Sequence, residues 1–340
     1  MIVAAAPTFY IVPGSAVRRA IDGDRQRVFE IVEMTYRLHA AGKTINPDSY
    51  FLRYPDRPNS RIIALPAHIG GTIHKSGIKW ISSFPDNNAS NLARASAVLI
   101  LNDGATGYPV ACIEASLISA TRTAASAALA AERLSPDPFQ GTIAVIGTGM
   151  IARASLEWLL FRGWRFSAVN LFDVDRHGSE QFSNWLSSTY AMQATIHERL
   201  DYAVIDSSLI LFTTTTLEPY VSDEVLFEHH PTVLHLSLRD ICPNVILSSQ
   251  NIVDDVDHCL KARTSVHLTE LETGNRDFVA GTLVDVLENR FELAHDRPRI
   301  FSPFGLGVLD LALGDLVLEA ARSFGDTVAF PDFFSNSARW

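Results

Sequence analysis

The run Thr142-Ile143-Ala144-Val145-Ile146-Gly147-Thr148-Gly149-Met150-Ile151-Ala152 constrains this chain more than any other stretch. Ile143 to Ile146 are apolar without a break, which suits a parallel strand buried on both faces. The strand leads straight into a glycine turn and then a helix. In such a unit Gly147 permits the tight turn, Gly149 lets a pyrophosphate approach the backbone, and Ala152 stands where a small residue lets the helix pack closely on the sheet. The helix start at Thr148, Met150 and Ile151 offers free N–H groups and the positive end of the helix dipole to phosphates.

A lone G-x-G-x-x-A carries little weight, so the context decides. A helix from Arg153 to Phe161 ends at Gly163, and a second strand, Ala168 to Phe172, ends in Asp173. A carboxylate there accepts hydrogen bonds from the adenosine ribose hydroxyls and repels a 2′-phosphate, so the expected cofactor is NAD rather than NADP. The alternation continues with a helix from Ser179 to Thr189 and strands Ser208 to Thr213, Thr232 to Leu236 and Asn251 to Asp254. This order predicts an α/β fold with a Rossmann-type doubly wound parallel sheet. Thr213, Thr214 and Thr215 at one strand end, Ser237 after another, and Gly305 are expected to line the cofactor.

The chain on either side of this sheet has a different pattern. Asp24 is placed to cap a helix running to about Ala41. Short β-like runs follow at Ser49 to Tyr54, Arg61 to Leu65, Gly77 to Phe84 and Ala95 to Leu101, with turn-forming residues at 55–59, Gly70-Gly71 and Asp86-Asn87-Asn88. Asn102-Asp103-Gly104 reads as a hairpin turn, and Val110 to Leu134 reads as one alanine-rich helix leading into the nucleotide domain. A last helix, Leu309 to Ser323, returns to the first domain. The expected division is an α+β domain from 1–128 and 306–340, with the nucleotide domain at 129–305.

With 47% apolar and 19% charged residues, 340 residues suffice for two folded cores. A net charge of −10 argues against a nucleic-acid or membrane surface, so any cationic cluster must be local. Met1 to Tyr10 lacks the basic start and longer apolar core of a signal peptide, and no stretch reaches transmembrane length, so the cytoplasm is the expected location. Cys112, Cys242 and Cys259 are odd in number and lack C-x-x-C spacing, as reduced thiols would. The 11 histidines show no metal-ligand spacing, and no metal is expected.

Burying a charge without a partner is expensive, so charged residues in apolar surroundings point to site chemistry. Four stand out: Arg53 and Lys79 in strands, Arg122 in the alanine-rich helix, and Asp240 after a parallel strand. Each has a plainer reading. A strand cation can point out of a half-solvated sheet, Arg122 can reach a helix-end carbonyl, and Asp240 can cap the helix beginning at Pro243. Together, three cations and one carboxylate near a nicotinamide suit a carboxylate-bearing, amino-acid-like substrate, with the acid as base.

Arg122-Thr123-Ala124-Ala125, Lys79, the Gly147-Thr148-Gly149 turn and Asp240-Ile241-Cys242-Pro243 resemble the ornithine cyclodeaminase/μ-crystallin family over nearly the whole chain. The resemblance implies a homodimer formed through the substrate-binding domains, with the Rossmann domain inserted between their segments. It assigns Arg53, Lys79 and Arg122 to the substrate carboxylate and Lys79 and Asp240 to catalysis. Ala64 stands where ornithine cyclodeaminases carry a glutamate, which sets cyclisation of ornithine apart. Residues 54–67, 264–268 and 273–278 resemble the branch that forms 2,3-diaminopropionate for siderophores and other peptide natural products. That branch implies NAD-dependent cleavage of a secondary amine into 2-oxoglutarate and 2,3-diaminopropionate. His267 and Arg276 in those stretches are candidates for a distal carboxylate, against surface-loop roles. The remaining alternatives are a cyclodeaminase or amino-acid dehydrogenase of the same family, and a non-catalytic μ-crystallin-like binding protein.

Overall fold

A computed structural model describes residues 7–334. The chain forms two compact units, one of Thr123–Gly305 and the other of the residues up to Arg122 together with those from Leu306 onward.

In the unit Thr123–Gly305, eight strands form one sheet in the order Thr195–Ile196, Arg165–Phe172, Gln140–Ile146, Leu209–Phe212, Thr232–His235, Arg299–Ser302, Gln250–Val253 and Val279–Thr282. Every pairing is parallel. Leu209–Phe212 and Thr232–His235 are buried at every position, the first as a continuous apolar run requires and the second with Thr232 and His235 hydrogen-bonded. From Gln140–Ile146 the chain first builds outward to one side and then crosses to the other, so the order reverses at that strand. The carboxyl end of such a strand is where open α/β sheets hold ligands, and Gly147 lies there. The fold is the doubly wound α/β class that the strand alternation predicts.

The other unit is a mixed sheet in the order Val328–Phe330, Phe9–Val12, Pro109–Glu114, Ala95–Asp103, Lys75–Ser83, Arg57–Ile69 and Thr44–Ile45, with Tyr50–Tyr54 also paired to Arg57–Ile69. Phe9–Val12 runs parallel to Pro109–Glu114, and the remaining pairs are antiparallel. The helix Gly307–Phe324 packs on this sheet and against the helices Gly14–Gly23 and Arg25–Ala40. Asp24 caps the last of these, its carboxylate accepting the Arg27 N–H. The glycines set the depth of this packing. A Cβ at Gly77 would lie 2.8 Å from Leu311 Cδ2, and one at Gly314 would run into Leu99.

Three expectations change. Pro109–Glu114 is a strand, and the alanine-rich helix begins only at Ser116 and runs to Leu134. From Val110 the strand alternates half-buried and buried residues, the period of a pleated strand, which its small apolar residues conceal. The turn placed at 55–59 is confined to Pro55 and Asp56, and Arg57 already belongs to a 13-residue strand. Phe9–Val12 adds a parallel strand to a sheet read as antiparallel throughout. No described helix is long and apolar enough to cross a membrane.

Candidate functional site

The glycine turn is built as the sequence predicts. Gly147 has φ +88°, and a Cβ there would meet the backbone of Thr213 and Thr214 at 2.9 Å. Gly149 precedes the helix Met150–Phe161, receives no side-chain cap, and has open space where its Cβ would stand. Uncapped helix N–H groups behind an open glycine suit a pyrophosphate. The Asp173 Oδ2 accepts from Thr148 N at 2.6 Å and Thr148 Oγ1 at 2.9 Å, while Oδ1 accepts from Asp175 N at 2.9 Å. The acid proposed for ribose recognition therefore also ties the turn to the next strand. Met150 is exposed and Ile151 half-buried at this helix start. Thr213 Oγ1 donates to the Gly147 carbonyl at 2.7 Å, Thr215 is exposed, and Gly305 donates its N–H to Asp254 Oδ2 at 2.7 Å. These residues fit a dinucleotide.

Asp240 is fully buried and surrounded by donors. Thr214 Oγ1 donates to its Oδ1 at 2.5 Å and Tyr220 OH at 3.1 Å, and Ser237 donates to Oδ2. His235 Nε2 lies 3.3 Å from Oδ2 and 3.2 Å from the Asp240 N–H, while Nδ1 lies 3.1 Å from Ser302 Oγ. One imidazole tautomer donates to the carboxylate, and the other accepts from the backbone and donates to Ser302. Burial pushes the Asp240 carboxyl up, but hydrogen bonds from His235, Ser237 and Thr214 outweigh it and hold its pKa below the usual carboxylate value. The Tyr220 phenol is driven well above its ordinary value by burial and by the neighbouring Asp240 charge. Leu238, at φ +77°, sits in the left-handed region between Ser237 and Asp240, and its carbonyl is fixed by the Ser265 N–H at 2.8 Å. That conformation is uncommon outside glycine and is held here at a candidate site.

The first unit holds a second charged cluster. Lys79 is 2% exposed and donates to Asp310 Oδ2 at 2.6 Å and to Ser119 Oγ at 3.1 Å. Arg122 Nε lies 3.5 Å from Asp310 Oδ1. Asp310 is completely buried in the first turn of the helix Gly307–Phe324, which the glycines at 77 and 314 allow to approach the sheet. Burial lowers the Lys79 pKa from 10.5 to about 8, Asp310 opposing that fall and Arg122 adding to it. Two cations thus converge on one buried carboxylate, and guanidinium and ammonium groups are donors suited to a carboxylate.

Of the sequence candidates, Lys79 and Arg122 are brought together. Arg53 is not in this cluster. It is exposed, lies over the Phe51 ring at 5.0 Å, and faces Arg61 across the sheet, four residues along from the Lys79 row. Arg276 is engaged by Glu270 at 2.6 Å and Asp257 at 2.7 Å, and His267 Nδ1 accepts the Arg263 N–H at 3.1 Å. Asp310, His235 and Tyr220 escape the sequence reading. The first two are polar residues inside the apolar runs Val308 to Leu313 and Thr232 to Leu236, so the criterion that found Lys79 applies to them as well. Tyr220 lies in a loop without such a signal. Among the described residues no group of histidines, cysteines and acids is arranged to hold a metal.

The profile of the ornithine cyclodeaminase/mu-crystallin family matches residues 19–237. N-((2S)-2-amino-2-carboxyethyl)-L-glutamate dehydrogenase of Staphylococcus aureus is 29% identical over 293 residues, covering 84% of this chain and 87% of that protein. The structure resembles Thermococcus litoralis Δ1-pyrroline-2-carboxylate reductase in complex with NADH and L-proline, with a TM-score of 0.85, 20% identity, and 94% and 99% of the two chains covered. It also resembles an archaeal alanine dehydrogenase dimer with bound NAD, with a TM-score of 0.84, 23% identity, and 96% and 100% covered.

Proposed function

Because this chain belongs to the ornithine cyclodeaminase/mu-crystallin family, we propose that it is an NAD-dependent dehydrogenase that cleaves N-(2-amino-2-carboxyethyl)-L-glutamate oxidatively to 2-oxoglutarate and L-2,3-diaminopropionate. The observation that carries the substrate class is that Lys79 and Arg122, two cations in apolar surroundings, are brought together on the buried Asp310. The Staphylococcus aureus relative supports the particular substrate. The product 2,3-diaminopropionate is a precursor for siderophore-type natural products.

When bound, NAD accepts the hydride from the glutamate α-carbon of the substrate. Gly147, Thr148, Gly149, Met150 and Ile151 hold the pyrophosphate, Asp173 the adenosine ribose, and Thr213, Thr214, Thr215, Ser237 and Gly305 the remainder of the cofactor. Lys79 and Arg122 hold a substrate carboxylate, and exposed Arg53 adds long-range attraction for a substrate bearing three of them. Asp240, ionised at neutral pH, takes the proton of the secondary amine as the carbon–nitrogen double bond forms. It returns that proton to the imine nitrogen and, ionised again, accepts one from the water that adds to the carbon; passing this proton to the nitrogen and taking the hydroxyl proton of the adduct, it lets the adduct collapse to 2-oxoglutarate and the free amine. Tyr220 and Thr214, both donating to Oδ1, orient this carboxylate and relay its proton. Substrate binding is assigned to the unit of residues up to Arg122 with those from Leu306 onward, and cofactor binding to the unit Thr123–Gly305.

A homodimer is part of this reading. Tyr50, Leu52, Trp80 and Val98 share the sheet face opposite the helix-covered one and are 71%, 48%, 43% and 39% exposed. An apolar sheet face of this kind is a natural self-association surface, and the archaeal alanine dehydrogenase is a dimer.

Incubation of purified protein with NAD and the amino-carboxyethyl-glutamate, following NADH absorbance and 2-oxoglutarate, tests the reaction. Production of both supports it. Proline from ornithine without NADH from this substrate overturns it in favour of a cyclodeaminase, and NAD binding without turnover of any amino or imino acid favours a binding protein.

A further inference from the structure

The stretch 261–267 supplies no donor to the Asp240 carboxylate, yet it holds the turn that carries it. Leu238, at φ +77°, occupies the left-handed region that glycine alone takes freely, so something outside the turn must keep it there. Its carbonyl accepts the Ser265 N–H at 2.8 Å, a group that the first turn of the helix Ser265–Thr273 leaves without an intrahelical acceptor. The next side chain reaches the same stretch. Arg239 donates from Nε to the Arg263 carbonyl at 3.1 Å and from Nη2 to the Ala262 carbonyl at 2.7 Å.

Ala262 and Arg263 are left-handed themselves, with φ of +55° and +56°. Two such residues in succession are rare outside glycine and persist only where their surroundings over-determine them. Here Arg239 fixes their carbonyls, and His267 Nδ1 accepts the Arg263 N–H at 3.1 Å. Thr264 closes the arrangement, its hydroxyl donating to the Cys259 carbonyl at 2.7 Å and accepting the His267 N–H at 3.1 Å. A guanidinium fork holds two acceptors in one fixed geometry, which a single ammonium does not reproduce. The residues anchored in this way, Leu238 and Arg239, stand between Ser237 and Asp240. Their anchoring therefore sets where the Asp240 carboxylate lies among Ser237, His235, Thr214 and Tyr220.

We propose that Arg239 is a positioning residue for Asp240, clamping the turn 237–240 to Ala262 and Arg263 so that the carboxylate stays within reach of its donors. Its importance to the reaction rests on Asp240 being the base.

Two variants of the full chain separate the fork from the charge. Arg239→Gln loses both, and Arg239→Lys keeps the charge and loses the fork. With NAD bound, the Asp240 carboxyl is titrated through its carbon resonance in aspartate-labelled protein, assigned with Asp240→Asn, and initial rates are recorded against pH. The titratable side chains bonded to this carboxyl are His235 and Tyr220. Both variants are expected to raise the carboxyl pKa and move the acid limb of the kcat profile upward. Both should also lower kcat by at least about tenfold, with KM and NAD affinity within about twofold of wild type. If Arg239→Gln does not fold, Arg239→Lys carries the test alone. An unmoved carboxyl pKa, a loss confined to Arg239→Gln, which charge alone explains, or a raised KM with kcat intact would each overturn the clamp. A shifted carboxyl in protein that forms no NADH from the amino-carboxyethyl-glutamate would support the clamp and fault the assigned reaction instead.

Discussion

Asp310→Asn removes the counter-charge that keeps Lys79 an ammonium. With Asp310 present, burial already takes the Lys79 pKa from 10.5 to about 8, a bias of about 3 kcal/mol toward the neutral amine. Opposite charges about 4 Å apart attract by about 4 kcal/mol at an effective dielectric constant of about 20. Only about 1.4 kcal/mol separates a pKa of about 8 from pH 7, so the variant carries a neutral Lys79 at that pH. The fold should persist, because a carboxamide still accepts from the amine, Lys79 becomes neutral, and Arg122, 12% exposed, keeps some solvation. A substrate carboxylate then loses one charged donor, worth about 1.5–3 kcal/mol, and KM rises by about one to two powers of ten, with kcat affected less. Initial rates of NADH formation from about pH 6 to about 10 provide the assay, with circular dichroism confirming the fold. The wild type should show KM climbing as pH passes about 8, where Lys79 loses its proton, and the variant should show a high, flat KM. A variant KM close to wild type at pH 7, or a surviving limb near pH 8, would refute this reasoning.

Asp240→Asn should abolish turnover while NAD still binds, as measured by calorimetry. Ser237→Ala, which removes one of the donors holding the Asp240 pKa down, should move the acid limb of the kcat profile to higher pH. Asp173→Ala should weaken NAD by about tenfold or more and narrow the preference over NADP, since both the carboxylate and its hold on Thr148 are lost. An unchanged ratio of the two affinities would remove Asp173 as the selector. Trp80→Glu places a charge on the exposed apolar sheet face and should give a monomer in sedimentation.

The parallel sheet was legible because burial on both faces demands unbroken apolar runs, and Ile143 to Ile146 and Ser208 to Thr213 supply them. The mixed sheet was less so. Pro109–Glu114 leads almost directly into the helix Ser116–Leu134, and small residues on both sides of the junction give no change of period to mark it. At the site, Lys79 and Arg122 stand out as charges among apolar residues. Asp310 stands among apolar residues too, but a helix-start acid has a ready alternative as a dipole partner. Its pairing with Lys79 spans 231 positions and depends on how closely two glycines let a helix approach a sheet, which no local pattern encodes. Arg53 shows the converse, since a cation in an apolar strand can simply lie at the sheet's exposed end.

The two bonds from Thr148 to Asp173 join choices that would otherwise evolve separately. On the proposed role of Asp173, a lineage drifting toward a phosphorylated cofactor would have to give up the acid, and in doing so it would loosen the turn proposed to hold the phosphates common to both cofactors. The route therefore passes through an intermediate poor at binding either one, unless a second substitution first secures Thr148 by other means. Cofactor preference in this chain is guarded by architecture as well as by charge.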